Sequence, residues 1–448
     1  MSRFLICTHP ITGHVNPPLE IARALVERGH EVRFYTGKKF RAKVEATGAG
    51  FAPMTHAHDY DDSDYDAAFP GRAKLQGINQ IKFDFKHLFI EPGPDQAEDV
   101  RALLREWPAD AVLSDPGFVG TKILFDKGEL ASWAVFNVTV LGLPSKDVPP
   151  FGLGMLPNYS PLGKVKNRLL NVIGNKIVFK DVNAFLHQTL AKVGLPPEPF
   201  APFPSPMLYL QPSVPAIEYP RSDLVPSAHF IGPVLPQFKG EFATPAWWDE
   251  IVNARKPVVL VTQGTVATDA SELILPTLRA LAHEDVLVVA ATGGKDLDAA
   301  PPANARVARF IPFNQVMPHA AALVTNGGYG GVMFALAHGL PVICAGTTED
   351  KPEVGNRMAY SGVGINLKTN RPTEAQVRDA VKRVLGDAAY RANARQVQAE
   401  LARHDGPAEA ATLLERLAAT GLPVLRQETE LAWAAPRALA GARASSPR

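Results

Sequence analysis

The fold is decided by residues 3–35, RFLICTHPITGHVNPPLEIARALVERGHEVRFY. Residues 3–7 are a short apolar run, the pattern of a buried strand. Residues 8–18 carry Gly13 and three prolines and read as a loop. Residues 19–28 put Leu19, Ala22, Leu25 and Val26 on one helical face, and Gly29 then stops the helix. Residues 31–35 form the next strand. A strand–helix–strand unit this short requires a right-handed crossover, and so a parallel sheet.

The same pattern extends outward. Residues 110–113 (DAVL) and 133–138 (WAVFNV) read as further buried strands, with a helix at 101–107 before the first. Two long loops follow from composition, the acidic, aromatic stretch around 57–69 and the Pro/Gly-rich stretch 143–161. Residues 199–236 hold ten prolines and contain the connection between halves. A second series then begins: strands at 257–261, 286–290, 306–310, 322–324 and 341–344, with helices near 273–282 and 332–337 and mostly helix over 373–417. The expectation is an α/β chain with two Rossmann-like, doubly wound parallel-sheet domains facing across a cleft. The domains span 1–210 and 246–420, with a linker at 211–245 and a tail at 421–448. In open α/β sheets ligands bind beyond the carboxyl ends of the strands, so the cleft is the expected site.

Composition narrows the function. The chain has 448 residues, 46% hydrophobic and 20% charged, enough for two cores. Lys and Arg total 46 and Asp and Glu 45, a net charge of +1 that makes no case for nucleic acid or an anionic membrane surface. Two cysteines, Cys7 and Cys344, exclude a disulfide scaffold or Cys-rich zinc module. The first apolar run is too short for a secretory signal, and no stretch spans a membrane. A reducing cytoplasm is the expected setting.

His14, in Thr12-Gly13-His14-Val15-Asn16-Pro17, stands at the carboxyl edge of the first sheet, where a histidine suits general-base work. The single glycine of that loop is not a dinucleotide fingerprint. Asp115 closes a later strand of the same half; it either orients His14 or serves as a turn residue before Pro116 and Gly117. In the second half, Asn326-Gly327-Gly328-Tyr329-Gly330-Gly331 lies between a strand and a helix. Its four glycines let backbone N–H groups approach a phosphate at a helix N-terminus. Gln263-Gly264-Thr265 brings a second small-residue loop and a hydroxyl to that edge. Thr347–Glu353, with Glu349, Asp350 and Lys351, either reads sugar hydroxyls or is a solvated loop. His56, His58 and Asp59 precede an acidic run that reads as solvated, and no spacing requires a metal.

Taken in order, the strand–GHVNP–helix opening and the C-terminal strand–glycine loop–helix–PVICAG–acidic segment resemble the nucleotide-sugar-dependent glycosyltransferases of family 1. The bacterial natural-product and macrolide-type members are most similar, over roughly residues 1–420. The resemblance implies a GT-B fold with the acceptor held by the first half and the donor by the second. Residue by residue, it implies His14 as base with Asp115 as its partner. Thr265 would meet the donor phosphates, Phe310 the nucleobase, Gly328 and its neighbours the diphosphate, and Asp350 the sugar hydroxyls. Gly13, Glu349 and Lys351 join the donor set. Four positions depart from the family pattern: Asn326 replaces a histidine, Gly331 a Ser or Thr, Phe334 a Glu and Lys351 a Gln. They make a deoxysugar donor an option.

The implied reaction is an inverting, metal-independent transfer from a UDP- or dTDP-linked sugar, without a cofactor, to a hydroxyl of a small, mostly apolar acceptor. Phe85, Phe89, Leu141 and Phe151 are the expected acceptor wall. The partners are those two small molecules, without nucleic acid or a membrane span, and the protein is a monomer or homodimer. Three rival readings remain: a nucleotide-sugar epimerase, a non-catalytic nucleotide-sugar-binding partner, and a nicotinamide oxidoreductase disfavoured by the missing fingerprint.

Overall fold

The structure, a computed structural model, describes residues 1–427 apart from 202, 237–239, 241, 265–268 and 298, together with Trp433. The chain forms two units. The first comprises 1–214, 219–236 and 403–432, and the second 215–218, 237–402 and 433–448.

Seven parallel strands build the first unit: β1 (Arg3–Cys7), β2 (Glu31–Thr36), β3 (Gly50–Pro53), β4 (Ala111–Ser114), β5 (Trp133–Phe136), β6 (Leu208–Gln211) and β7 (Ala228–Phe230). Their order is β3-β2-β1-β4-β5-β6-β7, so the chain leaves β1 in one direction and later returns to its other side. The reversal lies between β1 and β4, where Cys7 pairs with Ser114. That switch point is where a doubly wound sheet opens a crevice at its carboxyl edge.

The helix after β1 starts earlier than expected. It runs Thr12–Glu27, so Gly13 and His14 lie in its first turn rather than in a loop. Pro17 and Pro18 sit inside it. Prolines lack the N–H that would reach back four residues, so the carbonyls of Gly13 and His14 have no helical donor. Its N-cap, Ile11, has no capping side chain. The Thr12 N–H instead donates to Asp62 Oδ2 at 2.7 Å. Asp62 is buried and also meets Lys39. The acidic run is therefore not wholly solvated, because one of its carboxylates fixes the start of this helix.

The proposed domain boundaries also shift. β7, within the expected linker, pairs with β6, and most of that stretch belongs to the first unit. The last helix, Gly406–Thr420, belongs to the first unit too. Its Ala410, Leu414 and Leu417 share one core with Val15, Leu19 and Ala22 of the first helix. Arg28 donates to Glu415 at 3.0 Å and to the Ala408 carbonyl at 3.0 Å, and His30 meets Glu415 at 2.8 Å. The break is local chemistry: Asp405 caps Ala408 N at 3.2 Å, and Gly406-Pro407 open the new helix.

In the second unit are β8 (Val258–Thr262), β9 (Leu287–Ala291), β10 (Ala305–Ala308), β11 (Ala322–Thr325), β12 (Val342–Cys344) and β13 (Gly364–Asn366). They are parallel throughout, in the order β10-β9-β8-β11-β12-β13. Val259, Val261, Val288, Ala290, Val324 and Ile343 supply its core with helices Ile274–Leu281 and Glu374–Gly386. Among the described residues, no helix is long and apolar enough to cross a membrane.

Candidate active site

Parallel pairing of β1 with β4 brings the residues just beyond them together. Asp115 N donates to the Cys7 carbonyl at 3.2 Å, and the Asp115 side chain turns into the first unit, 2% exposed. Its Oδ2 accepts from His14 Nδ1 at 3.1 Å, as expected of a base and its partner. With Nδ1 so engaged, Nε2 is the ring nitrogen of His14 that is not held by Asp115. His14 keeps 16% of its side chain exposed.

The sequence reading did not include His9, which shares the same carboxylate. Its backbone N–H donates to Asp115 Oδ2 at 2.8 Å, and its Nδ1 lies 2.9 Å from Oδ2 and 3.1 Å from Oδ1. Behind it, Gln96 Nε2 lies 3.1 Å from His9 Nε2, while Gln96 Oε1 accepts from Gly120 N at 3.3 Å. The Gly120 donor fixes which end of the amide faces His9. Gln96 must therefore donate, His9 Nε2 must accept, and His9 Nδ1 carries the proton given to Asp115. Because both histidine Nδ1 atoms donate to this carboxylate, the cluster is a hydrogen-bonded one rather than an open ligand set. Burial pushes the Asp115 carboxyl up, but the two histidines more than offset it and hold it well below the usual carboxylate range. Asp115 therefore stays ionised beneath the base.

Phe89 packs against both rings, its centroid 5.0 Å from His9 and 5.7 Å from His14. It belongs to a π-helical turn, Phe85–Ile90, a local winding frequent at functional sites. Phe85 stacks among Phe200 (4.7 Å), Phe179 (5.8 Å) and Phe89 (6.4 Å), and both it and Phe151 are half-buried. Leu141 corrects the expectation. It is fully buried and its carbonyl accepts from Arg221, so it packs the unit instead of lining a wall. A small cavity, with room for about one water molecule, lies beside His9, lined by Met54, Tyr60, Phe69, Leu88 and Gln96 among others.

In the second unit, the segments after β8, β10, β11 and β12 carry the expected donor residues. Asn326 follows β11, Gly327 takes φ +87° and Gly328 caps helix Tyr329–Ala337. A Cβ on Gly330 would meet nothing within 4 Å, whereas one on Gly331 would lie 3.8 Å from Phe313. Tyr329 is buried. Asn326 is held internally: its Nδ2 donates to the Gln263 carbonyl, and its Oδ1 accepts from Gly328 N at 3.3 Å. Gln263 itself caps the next helix by accepting from Ile274 N at 3.1 Å. Gly264 has φ +78°, and Thr265 lies outside the described residues. After β12, Glu349 is exposed at φ +55° and Asp350 is half-buried at the N-cap of helix Lys351–Tyr360. Lys351 is buried and paired with Glu349, so its charge is answered within the segment. Phe310, expected inside a strand at 306–310, lies just beyond β10 and is 63% exposed. The sequence reading also passed over Gly293 and Gly294, both at positive φ beyond β9, although a Gly-Gly pair after an apolar run was visible.

Two parallel-sheet units with sites at their carboxyl edges define a class, and solved structures agree. The calicheamicin glycosyltransferase CalG4 matches with a TM-score of 0.71 at 22% identity, over 94% of this chain and 99% of that one. The glycosyltransferase of kitacinnamycin matches with a TM-score of 0.70 at 22% identity and the same coverage. The fold is that of the GT-B glycosyltransferases. The model for the C-terminal domain of erythromycin biosynthesis protein CIII-like proteins matches residues 272–417. The chain is 44% identical to 4'-demethylrebeccamycin synthase of Lentzea aerocolonigenes over 422 residues, 93% of this chain and 99% of that protein. It is 34% identical to UDP-glycosyltransferase 2 of Phaeomoniella chlamydospora over 447 residues, 95% and 98% of the two chains. The protein belongs to the nucleotide-sugar-dependent glycosyltransferases of family 1, of the bacterial natural-product type, and is a glycosyltransferase.

Proposed function

We propose that the protein transfers a hexose, with inversion and without a metal ion, from a UDP- or dTDP-linked sugar to a hydroxyl of a small, mostly apolar natural product. The observation that carries the reading is the buried Asp115 carboxylate in contact with partly exposed His14. His14 removes the proton of the acceptor hydroxyl, Asp115 stabilises the imidazolium, and the oxygen attacks the anomeric carbon. The nucleoside diphosphate leaves toward the N–H groups of Tyr329, Gly330 and Gly331, which open helix Tyr329–Ala337. Because Asn326 is engaged with its own loop, these backbone groups, rather than a side-chain cation, meet the leaving charge.

Exposed Phe310 is a surface for the nucleobase, and Asp350 at the second helix start is the sugar-hydroxyl reader. The aromatic cluster of Phe85, Phe89 and Phe151 supports an apolar acceptor, as does the relative named for demethylrebeccamycin synthesis. We place the enzyme in the cytoplasm, where the buried free thiols Cys7 and Cys344 stay reduced.

The test is product analysis with polyketide, flavonoid, steroid and simple-sugar acceptors against UDP- and dTDP-sugars, with the anomeric configuration read by NMR. An apolar glycoside of inverted configuration, formed undiminished with chelator, is the expected product. Retention of configuration, a strict metal requirement, or transfer only to free sugars contradicts the corresponding part. A sugar epimerised without acceptor would favour the epimerase instead.

A further inference from the structure

Helix Pro161–Ile173 has its faces reversed. Gly163 and Asn167 are its buried residues, and Gly174 follows them inward. Asn167 Nδ2 donates to the carbonyls of Asp147 (2.7 Å) and Asn158 (3.1 Å). Asn171 Nδ2 donates to those of Ser145 (3.1 Å) and Val148 (2.8 Å). Gly163 sits so close to Asn158 that a Cβ would lie 2.2 Å from its Oδ1. The polar face is thus used to satisfy carbonyls of the irregular segment before the helix.

The apolar face consequently points to water. Leu162 is 84% exposed, Val165 62%, Leu169 57%, Val172 50% and, just beyond, Ile177 69%. Of eleven large hydrophobic residues exposed among the described residues, six fall between 156 and 177. Scattered single residues need no explanation, but a contiguous stripe marks an interaction surface.

Charge decides the partner. Between Asp147 and Asp181 there is no acidic residue, while Lys164, Lys166, Arg168, Lys176 and Lys180 are all exposed. At about 3.6 residues per turn, Leu162, Val165, Leu169 and Val172 form one stripe. Lys164 and Arg168 border it on one side and Lys166 on the other. Cations on both borders suit a flat anionic surface, where their stems lie along the apolar boundary and their heads reach the phosphates. A second copy of the helix would instead set five cations against five with no carboxylate between them. The chain's net charge of +1 conceals this local excess. We propose that helix Pro161–Ile173 docks the protein on an anionic lipid surface, with its apolar stripe in the headgroup–acyl boundary.

The experiment is flotation of the full chain with vesicles of pure phosphatidylcholine and of phosphatidylcholine with an equal part of phosphatidylglycerol. The protein should float with the anionic vesicles only, and raised salt should release it. Replacing Lys164 and Arg168 by Gln should weaken partitioning roughly 30-fold, as expected from the usual contribution of two cations near such a surface. Replacing Leu162 and Leu169 by Ser should abolish flotation with the charge intact. Both double variants alter exposed side chains, so melting and glycosyl transfer in lipid-free buffer should match the parent. Parent protein that stays in buffer, floats equally with both vesicles, or ignores both double substitutions overturns the proposal. So does a parent that fails to float but forms a dimer which the Leu162/Leu169 variant loses.

Discussion

Asp115 receives donors from His14, His9 and Gly117 at once, so His14 shares its carboxylate with a second histidine. His14→Ala should lower turnover at least about 10²-fold, the usual scale for a lost general base. Asp115→Asn should cost no more, and the double variant should cost less than the sum in free energy, because the two act as one unit. Steady-state kinetics of the four proteins, with folding checked by melting, decide this. The arrangement of His9 makes a finer prediction. Gln96→Leu takes away the amide that meets His9 Nε2, so kcat should fall several-fold while the donor KM stays near the parent's. Unchanged kcat would mean that His9 does not communicate with His14.

Asp99 shows the same chemistry in a structural role. Burial alone would push its carboxyl up, but hydrogen bonds from Thr55, His56 and Tyr35 hold it down to about 2. A depressed folded-state value means stability that is complete above the unfolded value near 4 and is lost as pH falls toward 2. Its size is about 2–3 kcal/mol. Denaturation between pH 5 and pH 2 should show that loss, and Asp99→Asn should flatten it while lowering stability at neutral pH. Of these residues, His14 and Asp115 were legible because each follows an apolar run at a sheet edge. His9 and Gln96 were not, because a histidine before proline and a mid-helix glutamine carry no periodic signal, and only their pairing gives them a role.

Strands of four or five apolar residues, such as β1, β5, β8 and β9, were legible to within a residue or two because burial on both faces leaves an uninterrupted run. β3, β6, β7 and β13 were not. β3, β7 and β13 are edge strands of three or four residues, β3 contains Pro53, which only an edge accepts, and β6 lies within the proline-rich stretch that read as a connection. The helix containing His14 was placed seven residues late because Pro17 and Pro18 read as breakers, while its support, Asp62, comes from fifty residues away. The glycine loop was read correctly as a turn into a helix, and its conformations separate two roles. Gly327 needs its positive φ, but Gly328 lies at φ −60°, and a Cβ there would meet only Asn326 Oδ1 at 3.7 Å. Gly328→Val should therefore fold with a near-parental melting temperature, yet lose nucleoside-diphosphate binding in calorimetry. Unchanged affinity would move the diphosphate site elsewhere.

The chain passes between its units more than once, and one passage is held by charge. Residues Pro215–Ile217 make a single 3₁₀ turn that belongs to the second unit although its neighbours on both sides belong to the first. Beside it, Glu218 accepts from Arg357 Nε at 2.6 Å, and Arg357 Nη1 reaches Glu353 at 3.1 Å. All three are nearly excluded from water, with Arg357 2% exposed. A proline-rich stretch disguised this passage in the sequence, and no local pattern links a glutamate to an arginine 139 positions later. Because the partners are buried, removing the cation takes from two buried carboxylates the guanidinium that faces them. Arg357→Ala should cost about 3–5 kcal/mol in chemical denaturation, well above an exposed pair. Arg357→Met, which keeps a long apolar side chain without the charge, should lose about as much. Near-parental stability of that variant would mean that Arg357 stabilises the unit by packing its long side chain rather than by answering Glu218 and Glu353.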